Sequence, residues 1–287
     1  MLFSAIRFSK MIKLGHTLFA LPFALSAILL AYRQGNSLSF ETCFYIILAF
    51  IGARAFAMGF NRIADRKFDA QNPRTKNREL ASGNISLFAS IFYTAFFGLL
   101  LVFSAYMLNP LCFYLSVPAL AFLAFYSYTK RFSALSHYVL GVAIAMAPIG
   151  AWIAITSSIN LGIIVFSMAL LFHISGFDLL YSLQDEKFDK ENNLFSIPSK
   201  FGGRFAKRLS LMTFALALIC LFLTGFLFDL NFIYFLGILI IGFIYFSEHI
   251  VIKFSALRHI KLVFFNMNVC ISLLIFIAIT LSVFIEC

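Results

Sequence analysis

Of the twelve acidic residues in this 287-residue chain, eight fall in two short segments. The first holds Asp65, Asp69 and Glu79, with Asn61 four residues before Asp65; the second holds Asp178, Asp185, Glu186, Asp189 and Glu191. Their shared element is D-x-x-x-D. Residues four apart lie on one face of a helix, each about 6 Å further along its axis. If the helix carrying the first segment runs to about Gln71, then Asn61, Asp65 and Asp69 share a face, and Asn72-Pro73 ends the helix. Asp178, Tyr181, Asp185 and Asp189, at offsets 0, 3, 7 and 11, share a face of another helix. Two such faces opposed across a cavity mouth would suit a hard cation. Mg²⁺ binds through one or two carboxylates and leaves its other positions to phosphate oxygens and water.

Tight basic clusters accompany both segments. Arg62, Arg66, Lys67, Arg74 and Arg78 surround the first, Lys187 adjoins the second, and Lys130-Arg131 lies between them. Arginine forks and lysine point charges beside carboxylates make sense if the ligand itself carries several negative charges, as a phosphate does. Solvated i,i+4 pairs at helix ends would account for one D-x-x-x-D. They account less well for two, each closing an apolar stretch.

The elements that position these residues are apolar. The chain is 62% hydrophobic and 12% charged, where a soluble domain carries about a quarter charged residues. Stretches of the roughly 17 to 25 residues needed to cross a bilayer occur near 14–32, 40–60, 86–108, 110–129, 133–155, 159–181, 206–228, 230–250 and 262–286. This predicts an all-α polytopic bundle of nine transmembrane helices, one domain over 1–287, with a cytoplasm-facing cavity. The weakest breaks are Asn109-Pro110 and Asp229 to Asn231.

Charge placement supports nine spans, because Lys and Arg stay on the cytoplasmic side of short loops. With the N-terminus inside, 21 of the 22 basic residues fall on that side, from Arg7, Lys10 and Lys13 through to Lys253, Arg258 and Lys261. Only Arg33 falls outside. Merging either doubtful pair would move several basic loops to the wrong face. The net charge of +10 is therefore a topology signal, with the lipid bilayer as partner and no nucleic acid. The cysteines at 43, 112, 220, 270 and 287 lack metal-ligand spacing, and the scattered histidines form no H-E-x-x-H pair. The 39 phenylalanines read as lipid-facing and packing residues, a few of which could line a cavity where a π face stabilises a cation.

Asn61-Arg-Ile-Ala-Asp65-Arg-Lys-Phe-Asp69, followed by Pro73-Arg-Thr-Lys-Asn-Arg78 and Ser82-Gly83, resembles the first signature of the UbiA family of membrane prenyltransferases. Tyr126-Ser-Tyr-Thr-Lys130-Arg131 and the run from Asp178 through Tyr181 and Asp185 to Asp189 resemble the family's next segments, in order and on the same membrane side. Nine spans is the family's number, so the likeness covers nearly the whole chain. Many members carry prolines where this chain has Arg78-Glu-Leu-Ala-Ser-Gly83. The run Gly52-Ala-Arg54-Ala-Phe-Ala-Met58 is similar to a 4-hydroxybenzoate polyprenyltransferase subgroup that includes enzymes of the futalosine route to menaquinone. The first thirty residues have the basic start and apolar stretch of a signal peptide, but the resemblance implies that they remain as the first span.

The resemblance implies Mg²⁺-dependent transfer of a polyprenyl chain from its diphosphate to a ring carbon of an aromatic acid, in ubiquinone or menaquinone biosynthesis. Asn61, Asp65, Asp69, Asp185 and Asp189 would coordinate metal and water, and Asp178, deeper on the same face, would be a metal ligand or support one. Arg74, Arg78, Lys130 and Arg131 would grip the diphosphate, while Tyr126 and Tyr181 would orient phosphate or shield the cation. Arg54 lies two turns before Asn61 on nearly the same face, where it could read the acceptor carboxylate or snorkel to the membrane edge. The acceptor stays open among 4-hydroxybenzoate, a dihydroxynaphthoate, haem, a chlorophyll precursor and glyceryl phosphate. A transporter for an anionic lipid or metabolite is the alternative from another class, but no broken helices recur in both halves. A reporter fused after Lys130 or Lys200 is expected to read cytoplasmic, and one in the 156–160 loop external. Opposite labelling at any of the three breaks the nine-span topology.

Overall fold

A computed structural model describes residues 2–254 and 260–285, and all the regular structure in them is helical. In chain order the helices are α1 (Leu2–Met11), α2 (Leu21–Arg33), α3 (Phe40–Ala64), α4 (Arg66–Gln71), α5 (Leu87–Leu108), α6 (Pro110–Thr129) and α7 (Ser136–Thr156). They continue with α8 (Leu161–Tyr181), α9 (Glu186–Glu191), α10 (Ile197–Phe201), α11 (Gly203–Leu227), α12 (Phe232–Phe254) and α13 (Ile260–Phe284). Arg258 and Cys287 lie outside the described residues.

Eight helices among the described residues are long and apolar enough to span a bilayer, one fewer than expected. The stretch expected over 14–32 is instead a 3₁₀ turn, Leu14–Phe19, followed by α2, which has Pro22 in its first turn. Proline lacks the N–H that would continue a helix through that point. At 13 residues α2 is about 20 Å long, short of the roughly 30 Å hydrocarbon core. Both doubtful breaks are real. Asn109 is extended and its side chain accepts from Cys112 N–H at 2.8 Å, starting α6 afresh at Pro110. Asp229 takes a left-handed conformation (φ 49°) between α11 and α12.

The chain divides into two compact units. The first comprises 1–17 and 39–128, and its main contact is α3 against α5. Gly52 permits that approach, since a Cβ there would sit 2.8 Å from the Leu101 amide nitrogen and 2.9 Å from the Phe97 carbonyl oxygen. Small residues let membrane helices come close enough for backbone packing to replace the missing hydrophobic drive. Phe8, Met11, Ile12, Ala55, Leu80 and Ile85 form a buried cluster beside this pair.

The second unit comprises 18–38 and 129–287, with α8 packed between α7 and α11. Two-thirds (67%) of the apolar window assigned to α8 is enclosed, the highest share of any span, so its C-terminal end is a firm platform for the second acidic segment. Gly141 of α7 sets the α7–α8 approach, its notional Cβ lying 2.6 Å from the Leu171 carbonyl oxygen. Ser210 on α11 donates to the Gly176 carbonyl at 2.7 Å, and Tyr138 on α7 bonds Thr213 at 2.8 Å.

Arg33, the one basic residue expected outside the cytoplasmic set, has a structural role where it stands. Its guanidinium donates to the carbonyl oxygens of Phe228 (2.9 Å), Ser282 (3.4 Å) and Asp229. These are carbonyls at or near the C-terminal ends of α11 and α13, which carry the negative pole of the helix dipole. Arg33→Leu is expected to destabilise the protein by about 2–3 kcal/mol, the upper range for hydrogen bonds to a charged group. Thermal unfolding in detergent checks this, with Arg33→Lys recovering only part.

Candidate functional site

Neither acidic motif lies on one continuous helix. α3 stops at Ala64, Asp65 sits between helices with φ −93° and ψ 6°, and the six-residue α4 carries Asp69 onward. α8 stops at Tyr181, a 3₁₀ turn covers Ser182–Asp185, and Asp185 (φ −103°, ψ 1°) precedes the six-residue α9 that carries Asp189. Both central aspartates thus occupy the bridge region of backbone space, where many active-site residues sit. The predicted single faces are corrected accordingly. Helical counting holds up to Asp65 and Tyr181, after which the chain bends and redirects the distal aspartates. Helix breaks do therefore recur in both units, against expectation, but they fall at the ends of the spans.

In the first unit, Asn61 Nδ2 donates to Asp65 Oδ2 at 3.0 Å, and the buried Arg62 donates to Asn61 Oδ1 at 2.9 Å. Asp69 is buried, and Arg78 Nη1 contacts both its oxygens at 2.6 and 2.8 Å. The loop supplying Arg78 is built by Asn72, whose Oδ1 accepts from Arg74 N–H at 2.9 Å, and by Thr75, whose hydroxyl donates to the Asp69 carbonyl at 3.1 Å. Arg74 is half-buried in that loop. Tyr126 reaches from α6 to donate to the Ala57 carbonyl at 3.3 Å. Its ring lies close enough to Arg54 and Arg62 to interact electrostatically with both. Among the described residues Arg54, half-buried within α3, makes neither a hydrogen bond nor an ion pair.

In the second unit, Asp178 lies in the last turn of α8, with Oδ2 2.7 Å from Nδ1 of His137. Tyr181, half-buried, packs its ring 5.8 Å from that of Phe177. Asp185 is buried, and so is Asp189, which pairs with Lys130 Nζ at 2.8 Å. The connection carrying Lys130 and the half-buried Arg131 is tied down where Phe195 N–H donates to the Lys130 carbonyl at 2.7 Å. By contrast, Glu186–Lys190 (2.7 Å) and Glu191–Lys187 (3.9 Å) are solvated i,i+4 pairs. Ordinary helix-end charge accounts for those four residues.

The two motifs therefore repeat one device: a central aspartate at a helix break and a buried distal aspartate neutralised by a cation from a neighbouring connection. The oxygen donors suit a hard cation. Among the described residues no three carboxylates, histidines or cysteines are assembled around one point, so an ion would draw its remaining ligands from phosphate and water, the habit of Mg²⁺. Sequence reading counted Arg62 among the basic residues around the first motif without giving it a separate role, and it missed His137, for which the sequence carries no signal.

An all-helical membrane protein with paired oxygen-rich motifs at the ends of two spans is the class so defined. A profile of the UbiA prenyltransferase family matches residues 20–270, and the chain belongs to that family. It is 29% identical over 238 residues to a 4-hydroxybenzoate octaprenyltransferase of Francisella tularensis subsp. novicida, covering 78% of this chain and 84% of the relative. The apo structure of a UbiA homolog from Aeropyrum pernix superposes with a TM-score of 0.83 at 27% identity, covering 93% of this chain and 97% of that one. A UbiA homolog from Archaeoglobus fulgidus, solved with DMAPP and Mg²⁺, shares the fold at TM-score 0.71 and 18% identity, covering 96% and 99% of the two chains.

Removing Lys130 leaves Asp189 an uncompensated buried charge. Lys130→Met is expected to destabilise by roughly 2 kcal/mol, below the range for fully enclosed pairs because the lysine side chain is 35% exposed. In a double-mutant cycle, adding Asp189→Asn should recover much of that loss; simple additivity in thermal unfolding would show that the pair is not coupled.

Proposed function

We propose that this protein transfers a polyprenyl chain from its diphosphate to a ring carbon of an aromatic acid, 4-hydroxybenzoate or a dihydroxynaphthoate, in respiratory quinone biosynthesis. The observation that carries the reading is the twin motif, in which each copy places oxygen donors beside cations at the end of an apolar helix. That is the chemistry needed to hold a metal-bound diphosphate whose hydrocarbon tail stays in lipid. The relatives' names supply the acceptor class.

Bound Mg²⁺ would supply electrophilic stabilisation of the leaving diphosphate. In the first unit Asn61 and Asp65 would hold such an ion, joined by Asp69 if Arg78 turns towards phosphate; in the second Asp178 and Asp185 would do so, joined by Asp189 if Lys130 turns likewise. Arg74, Arg78, Lys130 and Arg131 neutralise diphosphate oxygens as the allylic C–O bond breaks, a stabilisation aimed at developing charge. Tyr126 and Tyr181 offer hydroxyls to phosphate and π faces to the allylic cation. Arg54, an intramembrane guanidinium with no carboxylate partner among the described residues, anchors the carboxylate of the acceptor. The ring carbon then attacks the cation and loses its proton.

The whole chain acts as one catalytic domain in the bacterial cytoplasmic membrane, N-terminus and active site on the cytoplasmic side. Arg33 at the opposite end from the basic loops is consistent with that orientation, and Gln34 contacts Asn160 of the 156–160 loop at 3.3 Å.

Purified protein is offered 4-hydroxybenzoate and a dihydroxynaphthoate with a labelled polyprenyl diphosphate and Mg²⁺, and the product is identified by mass. Prenylation of neither acid overturns the reading. Asp65→Asn and Asp185→Asn are expected to lower turnover 100-fold or more, about 3 kcal/mol in the barrier. Arg54→Leu should weaken acceptor binding by roughly 1.5–3 kcal/mol while sparing the donor. A raised donor constant with an unchanged acceptor constant would move Arg54 to the diphosphate site.

A further inference from the structure

Three histidine side chains are described, and only one of them touches a motif. His173 and His249 gather around Tyr245, at 2.8 Å from its hydroxyl and 3.2 Å from its carbonyl oxygen. His137, in the first turn of α7, is buried with its Nδ1 2.7 Å from Asp178 Oδ2. Its other ring nitrogen, Nε2, accepts from the backbone N–H of Ile197 at 3.3 Å. A backbone amide can only donate, so Nε2 carries the lone pair and the proton of the neutral imidazole sits on Nδ1, aimed at the carboxylate.

The surroundings fix the ring in that role. Ile197 opens α10, whose start is locked by the Ser196–Ser199 capping box, with Ser199 N–H donating to Ser196 Oγ at 3.2 Å and Ser199 Oγ accepting from Ser196 N–H at 2.8 Å. Ser175 on α8 donates to the His137 carbonyl at 3.2 Å, tying the base of the side chain to the helix that bears Asp178. Among the described residues Asp178 Oδ1 has no hydrogen-bond partner, and the Asp178 side chain is 27% exposed. One carboxylate oxygen is thus taken and the other presented.

We propose that His137 is a positioning residue for Asp178: as the Nδ1–H tautomer set by the Ile197 amide, it occupies Oδ2 and presents Oδ1 as the oxygen that Asp178 offers to the metal-bound diphosphate. The inference rests on the proposed function for the identity of that ligand. It assigns to a residue outside every motif the task that supporting hydrogen bonds perform at metal sites, where their loss lowers metal affinity or activity about 10- to 100-fold.

The test compares His137→Phe, which loses both contacts, with His137→Asn, whose amide N–H replaces Nδ1 while nothing replaces Nε2. Binding of Mg²⁺ with inorganic pyrophosphate, followed by calorimetry, is expected to weaken about 10- to 100-fold in H137F and to recover most of that loss in H137N, with the acceptor constant unchanged in both. Thermal midpoints should fall in both variants, because both lose the Ile197 contact. Affinity that simply tracks the midpoint in both variants overturns the proposal in favour of a packing role. In the ligand-free wild type, ¹⁵N spectra of labelled histidine should show a pyrrole-type Nδ1 and a pyridine-type Nε2, and the reverse tautomer also overturns it. A wild-type chain that transfers no prenyl group overturns the proposed function and this inference together. An active wild type matched by H137F overturns this inference alone.

Discussion

A carboxylate removed from water has to be neutralised or bonded, and at the boundary of an apolar helix that requirement organises everything around it. Asp69 and Asp189 are the two places where it acts most strongly. Each is buried, each has drawn a cation to within 2.8 Å, and each cation arrives from a separate stretch of chain. Arg78 comes from the loop after α4 and Lys130 from the connection after α6. The ion pairs therefore close two loops and hold the short helices α4 and α9 against the ends of their units.

Because the distal aspartates are anchored, the central ones are free to sit at helix breaks. Asp65 and Asp185 share nearly the same backbone conformation, and each leads into a short helix through the same Lys-Phe-Asp at the same spacing. Asn61 and His137 each bond one oxygen of a motif carboxylate, Asp65 and Asp178 respectively. Rigidity is inherited from packing further down. Gly52 brings α5 onto α3, Gly141 brings α7 onto α8, and the enclosed α8 carries the second motif on the least lipid-exposed helix of its unit.

Opposite ends of the spans use charge differently. Towards the motifs, cations answer carboxylates and would answer a polyanionic substrate. At the far end, Arg33 answers helix carbonyls, a set of partial charges that no ligand can displace. Its departure from the positive-inside pattern is thus a packing requirement. This one residue ties α2 to the ends of α11 and α13.

The spans were legible in the sequence because lipid forces every backbone polar group into helical bonds and leaves long apolar runs as the trace. The two motifs were legible because carboxylates are so rare in such runs. Eight spans and both breaks, at Asn109-Pro110 and at Asp229, follow from local composition and turn chemistry alone. The shortening of the first span to α2 has a local cause as well, Pro22, which a count of apolar residues passes over. Two things did not follow: the motif helices bent at Asp65 and Tyr181, with Asp69 and Asp189 paired to cations from other connections, and His137 came to Asp178 across 41 residues of chain. Both involve contacts between segments apart in sequence. Periodicity assumes a straight helix and has no knowledge of the side chain waiting beyond its end, so the spacing marked out the aspartates while only the packed helices decided which side chains bond Asp69, Asp178 and Asp189.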